Sequence, residues 1–268
     1  MAATATEELT ALDVGNMLLM EHVNVTVPDQ LQATLFYIVG LGLTRDPYNT
    51  VGVDNMHINV GDSQFHLPTR GAQKIAGHVA LVMPDLDALQ QRLESIKPRL
   101  EGTELAWKRA GDHVDVTDPW GNLIRVYEPS DKFGGMQLGM PYFEQLVRPG
   151  TADGIARFYE QVFNVPTRVE TDGSKAAHVQ SGRNQELIFR EAEDAPPFDG
   201  YHVAVYVANF SGPYSYMKEH GILKEDIRNH QFRFQSIVDP ETGEPLADLE
   251  HEVRNLHHPQ FKRTLINR

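Results

Sequence analysis

The sequence predicts an α+β protein assembled from four copies of one strand–helix–strands module. Three observations carry that expectation. First, a histidine opens a β-branched strand three times, as His22 in HVNVTVPD, His78 in HVALVMPD and His202 in HVAVYV, at spacings of 56 and 124 residues. A period near 60 marks a chain of repeated structural units. Second, Phe36-Tyr37 returns 122 residues later as Phe158-Tyr159. Third, Asp118-Pro119-Trp120-Gly121 returns as Asp239-Pro240-Glu241-Thr242-Gly243 with one residue more. The remaining copy falls on YFEQLV, where Glu144 and Gln145 stand in place of the histidine.

A doublet repeated once gives an N-terminal arm over 1–18, a two-module domain over 19–135 and a second over 136–268 ending in a tail. The seam is placed at KFGGMQLGMP, residues 132–141, which is rich in glycine and weak in periodicity.

Each module opens on a strand of period two. His22, Asn24 and Thr26 share one face, and Val23, Val25 and Val27 the other. His78, Ala80 and Val82 repeat the pattern, as do His202, Ala204 and Tyr206. The valine face is a seat for a helix. The segments 31–39, 85–96, 153–163 and 211–220 supply one each, with Asp85 and Asp153 as N-caps or first-turn acids. Paired strands follow each helix: NMHINVG and SQFHLP, HVDVTD and NLIRVYEP, AAHVQSG and QELIFRE, FRFQSIVD and PLADLEHEV. The acidic, proline-rich 190–200 stretch reads as a linker. RNLHHPQFKRTLINR reads as a tail packed over the sheet or against a partner subunit, and a homodimer is one expectation.

Composition narrows the function. Net charge is −13 and no basic run exceeds two residues, so the surface repels a phosphate backbone and nucleic acid is not the partner. No segment has the length and apolarity of a membrane span. The acidic N-terminus lacks the basic start of a signal peptide. The absence of cysteine removes disulfide and thiolate chemistry and fits a reducing, cytoplasmic setting. A small-molecule substrate remains.

Imidazoles in register on the more polar strand face are the candidate chemistry. A single histidine at a strand start is more often a satisfied polar residue, but three in register imply a shared site. Neutral imidazole is the commonest protein metal ligand, and mixed histidine–carboxylate sets suit zinc, iron, nickel or manganese.

With GHVALVMPDLDAL, the FY pair in a helix and DPWGN…YEP, the chain resembles the vicinal oxygen chelate superfamily over about residues 19–265. That superfamily includes glyoxalase I, bleomycin-binding proteins and extradiol dioxygenases. The resemblance implies four βαβββ modules paired into two cupped, barrel-like mixed sheets with helices outside. It also implies a divalent metal, iron(II) preferred and zinc or manganese as alternatives, held by the first and last strands of a module pair. Carried onto the first pair, the ligands are His22, His66 and His78. The fourth position is Arg125, which has no lone pair to give, and Glu128 is the nearest acid. Carried onto the second pair, they are His202, Glu144, Glu191 and Glu250, with Asp248 one position away. Arg125, Asn24 and Tyr206 then become substrate contacts, and His113 a candidate general base. The implied activity is extradiol-dioxygenase-like. The alternatives are a glyoxalase-like isomerase or lyase and a metal-free ligand- or drug-binding protein. Ser236 stands where the extradiol pattern has a tyrosine.

Overall fold

The computed structural model describes residues 13–49 and 54–268, so most of the expected N-terminal arm lies outside the described residues. Four βαβββ modules follow one another. The first is β1 (Met17–Asn24), α1 (Gln30–Ala33, running on as a π-helix over Thr34–Gly40), β2 (Thr44–Arg45), β3 (Asn55–Val60) and β4 (Ser63–Pro68). The second is β5 (Gly77–Val82), α2 (Leu86–Ile96), β6 (Ala106–Ala110), β7 (His113–Thr117) and β8 (Leu123–Tyr127). The third is β9 (Tyr142–Val147), α3 (Ala152–Phe158, then a π-helix over Tyr159–Phe163), β10 (Thr167–Asp172), β11 (Ser174–Gly182) and β12 (Gln185–Glu191). The fourth is β13 (His202–Val207), α4 (Ser211–Glu219), β14 (Leu223–Arg228), β15 (Gln231–Val238) and β16 (Pro245–Asn255).

The repeated motifs do repeated jobs. Both Phe-Tyr pairs sit in helices that widen into π-helix, with rings edge-on at 4.9 and 5.3 Å. Both Asp-Pro turns are closed by their aspartate. Asp118 Oδ1 accepts from the Trp120 and Asn122 amides, and Asp239 Oδ1 from that of Glu241, all at 2.8 Å. Asp85 caps α2 by accepting from the Ala88 amide at 2.8 Å. Asp153 lies in the first turn of α3.

The sixteen strands form two open, eight-stranded mixed sheets. Sheet I runs β14-β15-β16-β13-β1-β4-β3-β2, and sheet II runs β10-β11-β12-β9-β5-β8-β7-β6. Sheet I therefore joins module one to module four, and sheet II joins module two to module three. This replaces the expected pairing of one with two and three with four. The repeat could not decide the matter, because it makes every opening strand alike. It shows that two opening strands meet at each sheet centre, not which two. The helices restore contact between chain neighbours, since α1 packs on α2 and the α3 π-helix on α4. Gly77 marks the centre of sheet II. At φ +144° it brings β5 so near β9 that a Cβ would lie 2.1 Å from the Glu144 carbonyl oxygen.

The valine faces are buried under the helices in one continuous core, and Val23, Val79, Val203 and Val205 are fully covered. Polar links tie the sheets to each other. The buried Gln185 amide accepts from the Met20 amide at 3.0 Å and donates to Met20 O, Ser63 Oγ and Met140 O at 3.0–3.2 Å. Replacing it by leucine leaves those groups buried and unpartnered. Gln185→Leu is expected to lower unfolding stability by about 2–4 kcal/mol in urea titration. A loss within experimental error would show that the amide does not join the sheets.

Candidate metal centre

The polar face of sheet I carries the histidines. β13 and β1 at the sheet centre present His202, His22 and Asn24, β4 beside them presents His66, and β3, next to the edge strand, presents His57. His22 Nε2 lies 3.2 Å from His202 Nε2. The Glu252 carboxylate on β16 is 3.7 Å from the same His202 nitrogen. A register shift in β1 between Met20 and His22 also lets Glu21 reach His22. Its carboxylate accepts the His22 Nδ1 proton in a short contact, which leaves Nε2 as a lone pair. The His66 ring stacks on His22 at 3.7 Å, and His57 stacks on His66 at 3.6 Å. His66 Nε2 meets Gln64 Oε1 at 3.0 Å.

Burial dominates the electrostatics. It pushes the pKa values of His22, His66 and His202 well below the ordinary histidine range, with nearby Arg254 adding to the effect on His22 and Arg233 to that on His202. The rings are thus neutral donors. Three carboxylates are balanced by three cations. Arg254 bonds Glu252 at 2.6 Å and Glu21 at 2.9 Å. Arg233 bridges Glu250, at 2.7 Å, and Glu252, while Lys224 holds Glu250.

The donor set fits a divalent metal. Two metal–nitrogen bonds of about 2.1 Å hold their nitrogens about 3.0–3.4 Å apart, the separation found between His22 and His202. His22, His202 and Glu252 bring their ligand atoms within 4.8 Å of one another, as do Glu21, His22 and His66.

The register explains which residues converge. His66 lies on β4 opposite Asn24, two residues past His22. Glu252 lies on β16 opposite Ala204, two residues past His202. Asn24 sits between His66 and His202 in the two ladders, and Tyr206 lies further along the same face of β13.

Several expected ligands do not join them. His78 is on sheet II, where Nε2 meets the Tyr142 hydroxyl at 3.1 Å and Nδ1 lies 3.4 Å from Glu144. Burial depresses its pKa to about 4. Glu144 is also on sheet II and takes a 3.0 Å bond from Arg190. The positions equivalent to His66 and Glu252 are occupied there by Arg125 and Arg190, opposite Ala80 and Leu146. Two arginines thus stand at these register positions on sheet II, and Arg125 is paired with Asp115 at 2.8 Å. Glu128 is exposed beyond the end of β8. Glu191 accepts from the Ala152 amide at 2.9 Å and serves the start of α3. Glu250 is on β16 opposite His202 itself, held by Lys224 and Arg233, and its carboxylate is not among the donors that converge; Glu252, held in turn by Arg233 and Arg254, lies two residues further along that face. His113 is on sheet II, bonded to Asp112 at 2.9 Å and away from the cluster.

The C-terminal segment 256–268 crosses the polar face of sheet I. Tyr206 meets His258 Nδ1 at 3.1 Å and the Phe261 ring at 5.0 Å. Asn59 donates to the Ile266 carbonyl at 2.8 Å. Arg263 grips Asp46 with bonds of 3.1 and 2.8 Å, and hydrogen bonds from Arg263 and nearby amides hold that carboxyl at about 2. His22, His57, His66 and His202 are all buried. Arg263→Ala loosens this cover. Carbethoxylation of His57 and His66 in metal-free protein is expected to speed up by about fivefold, the equivalent of one ion pair of about 1 kcal/mol. An unchanged rate would mean that the pair does not hold the segment down.

No protein-family model matches the chain, and no curated protein is significantly similar in sequence. Solved structures are similar in fold. Glyoxalase I from Zea mays superposes with a TM-score of 0.62 at 14% identity, over 90% of this chain and 92% of its own. A provisionally named dioxygenase from Bacillus subtilis gives 0.58 at 14% identity, over 95% and 92%. The cppA protein from Streptococcus pneumoniae gives 0.53 at 10% identity, over 91% and 100%. With four βαβββ modules, paired opening strands and a histidine–carboxylate cluster on the polar face, the chain has the vicinal oxygen chelate fold.

Proposed function

We propose that sheet I is the active face of a metal-dependent enzyme that engages a small organic molecule through two adjacent oxygens. The observation that carries this reading is the 3.2 Å approach of two neutral imidazole nitrogens beside a buried carboxylate. His22, His202 and Glu252 would hold the metal, with His66 as a further donor. Two histidines and one carboxylate on one face suit iron(II) in oxygenases, so dioxygenase chemistry is preferred. A divalent metal bound there supplies Lewis acidity toward both oxygens and, as iron(II), reactivity with dioxygen.

The chain's own groups have separable tasks. Glu21 keeps the His22 proton on Nδ1 and so aims Nε2 at the site. Arg254 fixes Glu21 and Glu252 together. Arg233 neutralises the carboxylate pair of Glu250 and Glu252. The segment 256–268 excludes water from the stacked imidazoles. His66 supports a second reading, since a fourth protein donor leaves fewer open positions and favours glyoxalase-like isomerisation, for which dioxygen is not needed.

The test is elemental analysis of untagged protein reconstituted without air, followed by oxygen uptake with a panel of catechols. Near one equivalent of metal is expected, with iron(II) giving uptake. Metal without uptake, but with turnover of a hemithioacetal, selects the second reading. Less than about a tenth of an equivalent of any divalent metal sinks both.

A further inference from the structure

A cavity of about 950 Å3 opens between the two sheets beside the histidine–carboxylate cluster. Its lining includes Glu21 and Tyr206, the first bonded to His22 and the second on the His202 face. The walls mix polar groups with apolar side chains, Leu19, Met136, Leu138, Phe261 and Leu265 among them. They come from β1, the linker between modules two and three, and the C-terminal segment. The charges within it are unevenly committed. Glu21 is taken by His22 and Arg254, and Arg263 by Asp46. Arg183 and Lys262 remain as exposed cations on the lining, against the single further carboxylate of Asp62.

We infer that this cavity receives the body of the substrate, and that the substrate is an organic anion. The inference rests on the metal-centre reading for what lies at the inner end. Two adjacent oxygens would reach the cluster past Glu21 and Tyr206, an apolar body would lie along Leu138 and Phe261, and a carboxylate or sulfonate would meet Arg183 and Lys262. Ligand pockets of drug-sized molecules span roughly 300–1,000 Å3, so the space suits a body larger than a single ring. Phe261 and Leu265 make the C-terminal segment part of the specificity surface as well as a cover.

The experiment uses protein stripped of metal, so that it does not depend on the metal-centre reading. The naphthalene sulfonate dye ANS, which has an apolar body and an anionic end, is titrated by fluorescence. It is then displaced with octanoate or with octylammonium, which share a chain and differ in charge. Octanoate is expected to displace the dye at about tenfold lower concentration, the effect of two rim ion pairs. The double variant Arg183→Glu with Lys262→Glu should bring that ratio to one or below, and Leu138→Asp should weaken both competitors. Both cations are exposed, so the double variant keeps the fold. Equal displacement by the two competitors, or a preference that survives the double variant, overturns the inference. Anion preference in a protein that binds no metal leaves the cavity assignment standing and removes the metal reading. Metal binding without anion preference does the reverse.

Discussion

His202→Ala is expected to lose metal, whereas His78→Ala is expected to keep it. The two histidines are equivalent by sequence, since each opens a β-branched strand and each is buried. They differ in what surrounds them. His202 faces a second neutral Nε2 at 3.2 Å and a carboxylate at 3.7 Å. His78 faces a tyrosine hydroxyl in place of a second imidazole, with Arg125 on the neighbouring strand and a carboxylate that, like Glu252, is held by arginine. A four-donor protein site binds zinc with about 10–16 kcal/mol, so each donor is worth about 3 kcal/mol, or about a hundredfold in affinity. Glu21→Gln should cost about 10–100-fold, because it removes the acceptor that fixes the His22 tautomer while leaving the ligand itself. Competition titration with a chromogenic chelator reads all three, and circular dichroism checks that each variant is folded. Metal lost from His78→Ala and retained by His202→Ala would move the site to sheet II and undo the assignment.

That contrast also shows where reading the sequence runs out. The modules, the opening strands and the repeated turn and helix motifs all follow from local pattern, and each was legible because a strand of period two or a turn aspartate needs only its neighbours. His22 and His202 were legible as ligand candidates for the same reason, and His66 only through the family resemblance. Their partnership was not. A tandem repeat makes modules two and four equal candidates to pair with module one, and only packing between distant segments selects module four. Glu252 was not among the candidates, because a fixed offset carries Arg125 to Ala247 and Glu128 to Glu250, whereas the ladders put Glu252 in the register position that Arg125 holds on sheet II; the extra residue in the turn Asp239–Gly243 and the irregular pairing of β16 with β15 lie between. The rule that a last-strand ligand sits opposite the second residue past the first-strand histidine would have found it. Glu21 was missed because alternation assigns it to the valine face, and only the irregularity in β1 makes it a neighbour of His22. Arg125 stood out in the sequence as a departure from the ligand pattern, and the structure places it on sheet II together with His78.

Acid is expected to unfold the metal-free protein above pH 4. Burial holds His78 and His251, the latter on β16 with Nε2 2.8 Å from the Tyr159 hydroxyl, at about 4, against an ordinary histidine value of 6.5. For both, the folded state keeps the neutral form. As pH falls below 6.5 the unfolded chain takes up a proton that the folded chain refuses, and stability declines until the folded-state value is passed. Above 6.5 neither group contributes a slope. Each costs about 3 kcal/mol across that window, and the two together approach the lower part of the usual stability range of about 5–15 kcal/mol. His22, His66 and His202 are shifted in the same direction and steepen the fall. The depressed carboxyls of Asp46 and Glu186, both at about 2, act only below about pH 4, so they do not set this transition. A titration followed by tryptophan fluorescence should therefore show a cooperative midpoint between pH 4 and 6.5, with uptake of more than one proton. His78→Gln should move the midpoint down, since it removes one refused proton and keeps a hydrogen-bonding side chain. Metal should move it down further, because protons and metal compete for the same nitrogens of His22 and His202. A metal-free protein that stays folded to pH 3 would mean that these imidazoles accept protons in place, through water or carboxylates that reach them, and that the cluster is far less enclosed than its burial implies.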